Sequence, residues 1–436
     1  MTASAHVCDA CGARQPASFA GVQCPTCGGL LHIAHADPDA RGDALRARFD
    51  ARLGASRGPQ GTGAGDSGVW RFRELVMPDA TDTQIASQGE GITPLYARPT
   101  VAAWAGIDGL LLKHEGFNPT GSFKDRGMTA AVTQARRTGA TVAACASTGN
   151  TSASLASYAA LAGMRAVVLV PAGKVAAGKL SQTIAYGAQT VQVRGDFDDC
   201  LRLTREASEQ LGVYLANSIN PWRIEGQKTI LLDLLQQLRW ESPDFFVLPA
   251  GNLGNVSAFG AALRDALRLG LIAKAPRLVC VQAAGAAPFA ASFRDGFRTR
   301  HTVRAETVAT AIRIGDPASY DRAVRAIRET DGLVLSVTDA EILEAKAAID
   351  ASGVGCEPAS AASVAGVRAM VRDGTIARGA RVVALLTGHV LKDPETILAY
   401  HRGTEPAPPL ANRSVEIDAS LSALAAVVQA RSADSA

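Results

Sequence analysis

Gly121-Ser-Phe-Lys-Asp-Arg-Gly127 sets one lysine, Lys124, between two glycines and beside a small hydroxyl. A lysine so placed suits a Schiff base. The glycines let backbone come close to a flat cofactor, and the nearest other basic residue, Arg126, is permanently charged and cannot compete as the amine. An isolated lysine is more often a solvated surface charge, so this reading needs partners elsewhere in the chain.

Two partners are present. Pro249-Ala-Gly-Asn-Leu-Gly-Asn255 follows the apolar run Phe245-Phe-Val-Leu248 and precedes Val256-Ser-Ala-Phe-Gly-Ala-Ala-Leu263, an order that reads as strand, glycine-rich turn and helix. Such a turn aims backbone N–H groups and a helix N-terminus at an anion, and a cofactor phosphate satisfies both. It departs from the dinucleotide fingerprint and lacks the Lys-Ser/Thr of a nucleotide-binding P-loop. The rival reading is a tight strand-to-helix turn with no ligand. Ser147-Thr-Gly-Asn-Thr-Ser152 lies between the apolar Val142-Ala-Ala-Cys-Ala146 and Ala153-Ser-Leu-Ala-Ser-Tyr-Ala-Ala160. Hydroxyls, an amide and an open helix N-terminus suit a carboxylate, whereas a plain helix cap would need only one of them.

Taken together and in this order, these segments resemble the fold-type II pyridoxal-phosphate enzymes. Further stretches narrow the resemblance to the threonine synthase branch: Gly89-Glu-Gly-Ile-Thr-Pro-Leu95, Glu115-Gly-Phe-Asn-Pro-Thr120, Asn217-Ser-Ile-Asn-Pro-Trp-Arg-Ile-Glu-Gly-Gln-Lys-Thr229, Thr310-Ala-Ile-Arg-Ile-Gly315 and Leu386-Thr-Gly-His-Val-Leu-Lys-Asp-Pro394. Three positions depart from the family pattern: Ile92 replaces a usual polar residue, Ala250 a hydroxyl or valine, and Val390 a glycine.

The resemblance implies an α/β fold of two parallel-sheet domains with the cofactor in the cleft between them. Lys124 would hold pyridoxal phosphate and then move protons as a general acid/base. Gly251, Asn252, Leu253, Gly254 and Asn255 would hold the cofactor phosphate, Asn150 the ring hydroxyl and Thr387 the pyridine nitrogen. A neutral hydroxyl at that nitrogen would leave the ring less cationic than a carboxylate would. Ser147, Thr148 and Thr151 would take the substrate carboxylate. Arg223, helped by Asn217 and Lys179, would bind the substrate's own phosphate, because a guanidinium makes paired bonds to phosphate oxygens. The implied reaction converts O-phospho-L-homoserine and water to L-threonine and phosphate. The runner-up is another fold-type II lyase or synthase acting on O-phosphoserine, serine or threonine. From a different class comes a metal-ribbon binding module with a non-catalytic body.

That last rival is suggested by Cys8-x-x-Cys11 and Cys24-x-x-Cys27, two knuckles separated by twelve residues and ending near Gly12, Gly28 and Gly29. The spacing is that of a zinc ribbon closing a four-thiolate structural site. The alternative of two disulfides sits poorly with the scattered Cys145, Cys200, Cys280 and Cys356. His32 and His35 follow, and are read as surface residues. Arg14 is the only basic side chain between Cys8 and Cys27, too little for nucleic acid.

The 436 residues, 47% hydrophobic, suffice for two or three domains. A net charge of +3 gives no general attraction for nucleic acid or membrane. No apolar run approaches the ~18–20 residues of a membrane span, and Met1-Thr-Ala-Ser-Ala-His6 lacks a signal peptide's apolar segment, so a cytoplasmic protein is expected. Organisation is expected as a zinc ribbon at 1–36 and a helix with a glycine-rich linker at 37–68. A large cofactor-binding domain follows at 69–143 and 223–403, a smaller substrate domain at 144–222, and a tail with an alanine-rich helix at 404–436. Alternating β-branched runs and alanine-rich stretches predict parallel sheets covered by helices. The resemblance also implies a homo-oligomer and a small phosphorylated amino acid as partner.

Overall fold

The computed structural model describes residues 4–53, 65–173, 177–403 and 408–433. It divides into a unit spanning Met1–Asp393 and a small unit spanning Pro394–Ala436. At the junction Asp393, which precedes Pro394, is held out of the helical region at φ −143°. The small unit holds the helices Pro394–Arg402 and Leu421–Ala433, the second being the alanine-rich helix expected in the tail.

Three sheets build the large unit. The largest has six strands in the order Leu333–Val337, Arg277–Ala283, Phe245–Pro249, Arg381–Leu386, Gly109–His114 and Leu95–Ala97. All neighbours are parallel except the edge strand Leu95–Ala97, which pairs antiparallel with Gly109–His114. Central strands such as Phe245–Pro249 are buried at every position, as expected of a parallel sheet covered on both faces. The second sheet orders Gln189–Val193, Arg165–Pro171, Val142–Ala146 and Tyr214–Leu215, all parallel. The third is a small antiparallel sheet of Arg14–Pro16, Ser4–Cys8 and Leu31–His35.

Two helices cross between these layers. Lys124–Arg137 and Pro221–Gln237 meet backbone to backbone, since a Cβ on Gly226 would lie 1.9 Å from the Arg126 carbonyl oxygen and one on Gly127 2.9 Å from that of Arg223. This corrects the expectation for Gly127: its missing side chain admits a helix and not a cofactor. Gly121, at φ +85°, does need glycine for its left-handed turn.

Of the expected linker, residues 54–64 lie outside the described residues, while 65–68 are packed structure. Ser67 is fully buried and donates to Glu90 at 2.6 Å, and Gly68 abuts the Gly91-Ile92 backbone. His35 is not a surface residue either. It bonds Ser4 at 2.8 Å and Glu225 at 2.9 Å, and so ties the small antiparallel sheet to the Pro221–Gln237 helix. His32 pairs with Asp9, whose other oxygen meets Arg322 at 2.5 Å.

Candidate active site

Four parallel strands end at the same place in the fold, and each hands the chain to one part of the site, as open α/β sheets do at their carboxyl edges. Gly109–His114 leads to Lys124, Val142–Ala146 to Ser147, Phe245–Pro249 to the 251–255 loop, and Arg381–Leu386 to Thr387. An isolated bridge between Ser122 and Gly388 fixes the lysine loop against the last of these.

Lys124 opens its helix. Its Nζ makes no hydrogen bond or ion pair among the described residues and lies 4.3 Å from the centre of the Phe123 ring. Burial first, then the neighbouring Arg223 guanidinium, push the amine down to about 7 against the pull of Glu357. A near-neutral amine is a nucleophile and a proton carrier at ordinary pH. Arg126 is committed elsewhere, to Glu115 at 2.7 Å and Asp233 at 2.6 Å in a buried ionic cluster.

The loop after Phe245–Pro249 turns through Leu253 at φ +63° into the helix Gly254–Arg268. Among the described residues, the backbone N–H groups of residues 251 to 256 find no acceptor. Unpaired donors gathered at a helix start suit an anion. A Cβ at Gly251 would meet Ile312 at 2.9 Å, so the loop sits against Thr310–Ile312. Asn255 Oδ1 is buried without a partner. Asn252 Nδ2 donates one proton to Ser218 at 2.5 Å and its Oδ1 accepts from Ala318 at 2.7 Å, so the side chain braces the loop while keeping a second Nδ2 proton.

The helix Asn150–Leu161 starts with no side-chain cap, and the N–H groups of Asn150, Thr151 and Ser152 are open among the described residues. Ser147 Oγ accepts from Gly149 at 3.3 Å, while the Thr148 and Thr151 side chains make no hydrogen bond among the described residues. Asn150 Nδ2 donates to Glu357 at 2.9 Å, and Thr387 Oγ1 donates to the same carboxylate at 3.1 Å.

Arg223 is fully buried on the first turn of Pro221–Gln237. Its Nη1 donates to the Ala216 carbonyl at 3.0 Å, while Nε and Nη2 have no partner. Burial lowers it to about 10, with Cys145 opposing. Asn217 both donates to and accepts from the Ala146 backbone at 3.1 Å, which holds the strand end before Ser147 and leaves the amide a second Nδ2 proton. The side chain of Lys179 lies outside the described residues.

Glu357, together with Ser360 and Lys392, escaped the sequence reading. Its one local signal is a glutamate before Pro358 at a helix start where no side-chain cap forms. Val390 meets Gly355, two residues before Glu357, at 3.1 Å from a Cβ placed there, and so acts on this loop. In the small antiparallel sheet, the sulfur atoms of Cys8, Cys11, Cys24 and Cys27 all lie within 4.8 Å of one another, with contacts of 3.5 to 3.7 Å.

A family model described as pyridoxal-phosphate dependent enzyme matches residues 86–388. The threonine synthase of Methanosarcina acetivorans is 44% identical over 393 residues, 90% of this chain and 93% of its own. The chain belongs to the threonine synthase family. That of Mycobacterium bovis is 48% identical over 342 residues, covering 78% of this chain and 92% of its own. The threonine synthase family is also met in fold: the crystal structure from Escherichia coli aligns with a TM-score of 0.69 at 19% identity, over 98% of this chain and 100% of that one. A member of the threonine synthase family is a pyridoxal-phosphate-dependent lyase, and the non-catalytic rival falls away. Among the described residues, no helix is long and apolar enough to cross a membrane.

Proposed function

We propose that this chain converts O-phospho-L-homoserine and water to L-threonine and phosphate, at a site formed where the lobe of residues 69–143 and 223–393 meets that of 144–222. The observation that carries this reading is Arg223, a buried guanidinium with two unpaired nitrogens beside a second, separate cradle of open amides at 251–256. One anion site serves the cofactor phosphate, and the other serves a phosphate on the substrate. A dehydratase would have no use for the second.

When bound, pyridoxal phosphate supplies the electron sink. The residues here supply binding, aim and proton transfer. The amides of 251–256 hold the cofactor phosphate, and Lys124 anchors the cofactor. Asn150 Nδ2 has a second proton for the ring hydroxyl, and Thr387 meets the ring nitrogen. Ser147, Thr148 and Thr151, with the open amides at 150–152, bind the substrate carboxylate. Arg223 binds the leaving phosphate. Lys124, already low in pKa, takes and returns protons at the α, β and γ carbons, and burial keeps stray water from them.

Arg223→Ala should cost about 2–4 kcal/mol of transition-state stabilisation, or roughly 30- to 1,000-fold in kcat/KM. The substrate itself is tested by offering O-phospho-L-homoserine, O-phospho-L-serine and L-threonine separately and following phosphate, threonine and 2-oxobutyrate. Failure of phosphohomoserine to give threonine, with turnover of either competitor, sinks the reaction named here.

The four cysteine sulfurs are further assigned to one structural zinc. Tetrahedral thiolates with Zn–S bonds of about 2.3 Å stand roughly 3.8 Å apart, close to the spacing of these sulfurs. Elemental analysis of protein purified without chelator should give one zinc per chain. Cys8→Ser should loosen residues 4–35 and leave turnover largely intact.

A further inference from the structure

The roles assigned so far give no purpose to Glu357, a buried carboxylate set between Asn150 and Thr387. It is placed with care. Its N–H donates to the Gly388 carbonyl at 3.1 Å, the His114 ring bonds the Gly355 carbonyl at 2.7 Å, and Cys356 N–H donates to Asp350 at 3.1 Å. A Cβ at Gly388 would lie 2.4 Å from the Glu357 carboxyl carbon, so the glycine makes room for this side chain.

The hydrogen-bond directions around Thr387 are determined by counting protons. Ser360 Oγ accepts the N–H of Thr387 at 2.8 Å and that of Gly388 at 3.0 Å, which fills both its lone pairs. Its own proton is left for Thr387 Oγ1, 2.9 Å away. A carboxylate only accepts, so the Thr387 proton goes to Glu357. Thr387 is left with one free lone pair and no free proton.

We propose that Glu357 is a positioning residue acting through Thr387: it takes the hydroxyl's proton, so that Thr387 meets the ring nitrogen of pyridoxal phosphate as an acceptor and favours a protonated, cationic ring. The inference rests on the assignment of Thr387 to that nitrogen made above. It reverses the electronic expectation drawn from a hydroxyl at this position, because the hydroxyl is backed by a carboxylate. Burial raises the Glu357 carboxyl against the donors Asn150 and Thr387 and the more distant cations Lys392 and Lys124. An anion buried beside two neutral donors lacks a close opposite charge, and a cationic ring beyond Thr387 supplies one.

The test is nitrogen-15 magnetic resonance of holoenzyme loaded with ring-labelled pyridoxal phosphate at neutral pH. The wild type should show the shift of a protonated ring nitrogen. Glu357→Gln, which keeps the volume and removes the charge, should move it to the unprotonated position, with kcat falling about tenfold or more and KM changing little. A neutral ring nitrogen in the wild type overturns the proposal, whether or not the variant folds. So does a protonated nitrogen that survives in folded, loaded Glu357→Gln. Borohydride reduction and peptide mapping of the same samples separate two failures. Label on Lys124 with a neutral ring nitrogen defeats the role of Glu357 alone, whereas label on another lysine defeats the cofactor assignment and this inference together.

Discussion

Lys124 is reactive because its surroundings disfavour a charged amine: it is desolvated, faces the Arg223 guanidinium, and has no ion pair of its own among the described residues. Capture of added pyridoxal phosphate by apoprotein, followed by absorbance, should therefore rise with pH to a plateau with a midpoint near 7, the value to which the amine is pushed, and not near that of a free lysine, ~10.4. The signs of its neighbours' effects follow. Arg223→Ala removes a cation and should raise the midpoint, and Glu357→Gln removes an anion and should lower it. Ile92 shows a second residue-scale effect. It sits at φ +51°, a left-handed conformation that a β-branched side chain tolerates poorly and a short polar one tolerates better. The departure from the family pattern at this position thus has a backbone meaning.

At the scale of elements, the site depends on how closely two helices approach. The crossing at Gly127 and Gly226 sets the distance from Lys124 on one helix to Arg223 on the other. Gly226→Ala would drive a methyl into the Arg126 carbonyl, at a cost of about 3 kcal/mol and a displaced lysine; thermal melts and cofactor content of the purified variant would show both. This crossing also marks what the sequence could and could not convey. Lys124, the 251–255 turn and the Ser147 loop were legible because each is contiguous, with strand, turn chemistry and helix in order. Gly127 was misjudged because a glycine's neighbour across a helix interface leaves no local trace. Glu357 went unread because its meaning comes from Asn150 and Thr387, which reach it from distant parts of the chain. The bracing bonds of Asn252 to Ser218 and of Asn217 to Ala146 were not legible either, since an amide's partners are known only once the backbone around it is placed.

For the whole molecule, the largest electrostatic commitment is the buried cluster of Arg71, Lys113, Arg126, Asp233 and Glu115. It ties residues 71 to 126 to the middle of the Pro221–Gln237 helix. Burial by itself would raise both carboxyls, but Lys113, Arg71 and Arg126 hold Asp233 far below its usual range, and Arg126 holds Glu115 low. Groups depressed in the folded state contribute stability above their unfolded pKa, about 4, and lose it as pH falls toward the folded values. Circular dichroism against pH should therefore show stability that is flat near neutrality and declines below about pH 4. Asp233→Asn should flatten that decline while costing about 3–5 kcal/mol at neutral pH, because three buried cations lose their common partner.

The same long helix carries one more feature at its start. Trp222 is wedged between His6 and His35, at ring separations of 5.8 and 6.2 Å, and the next residue is Arg223. A single peptide bond thus joins an indole flanked by imidazoles of the N-terminal sheet to a guanidinium with two unspent nitrogens. Emission from one of the chain's four tryptophans is therefore an optical gauge placed beside the proposed phosphate site. It should respond to that site with no catalytic turnover, and should read the state of the cysteine-bearing sheet through the same ring.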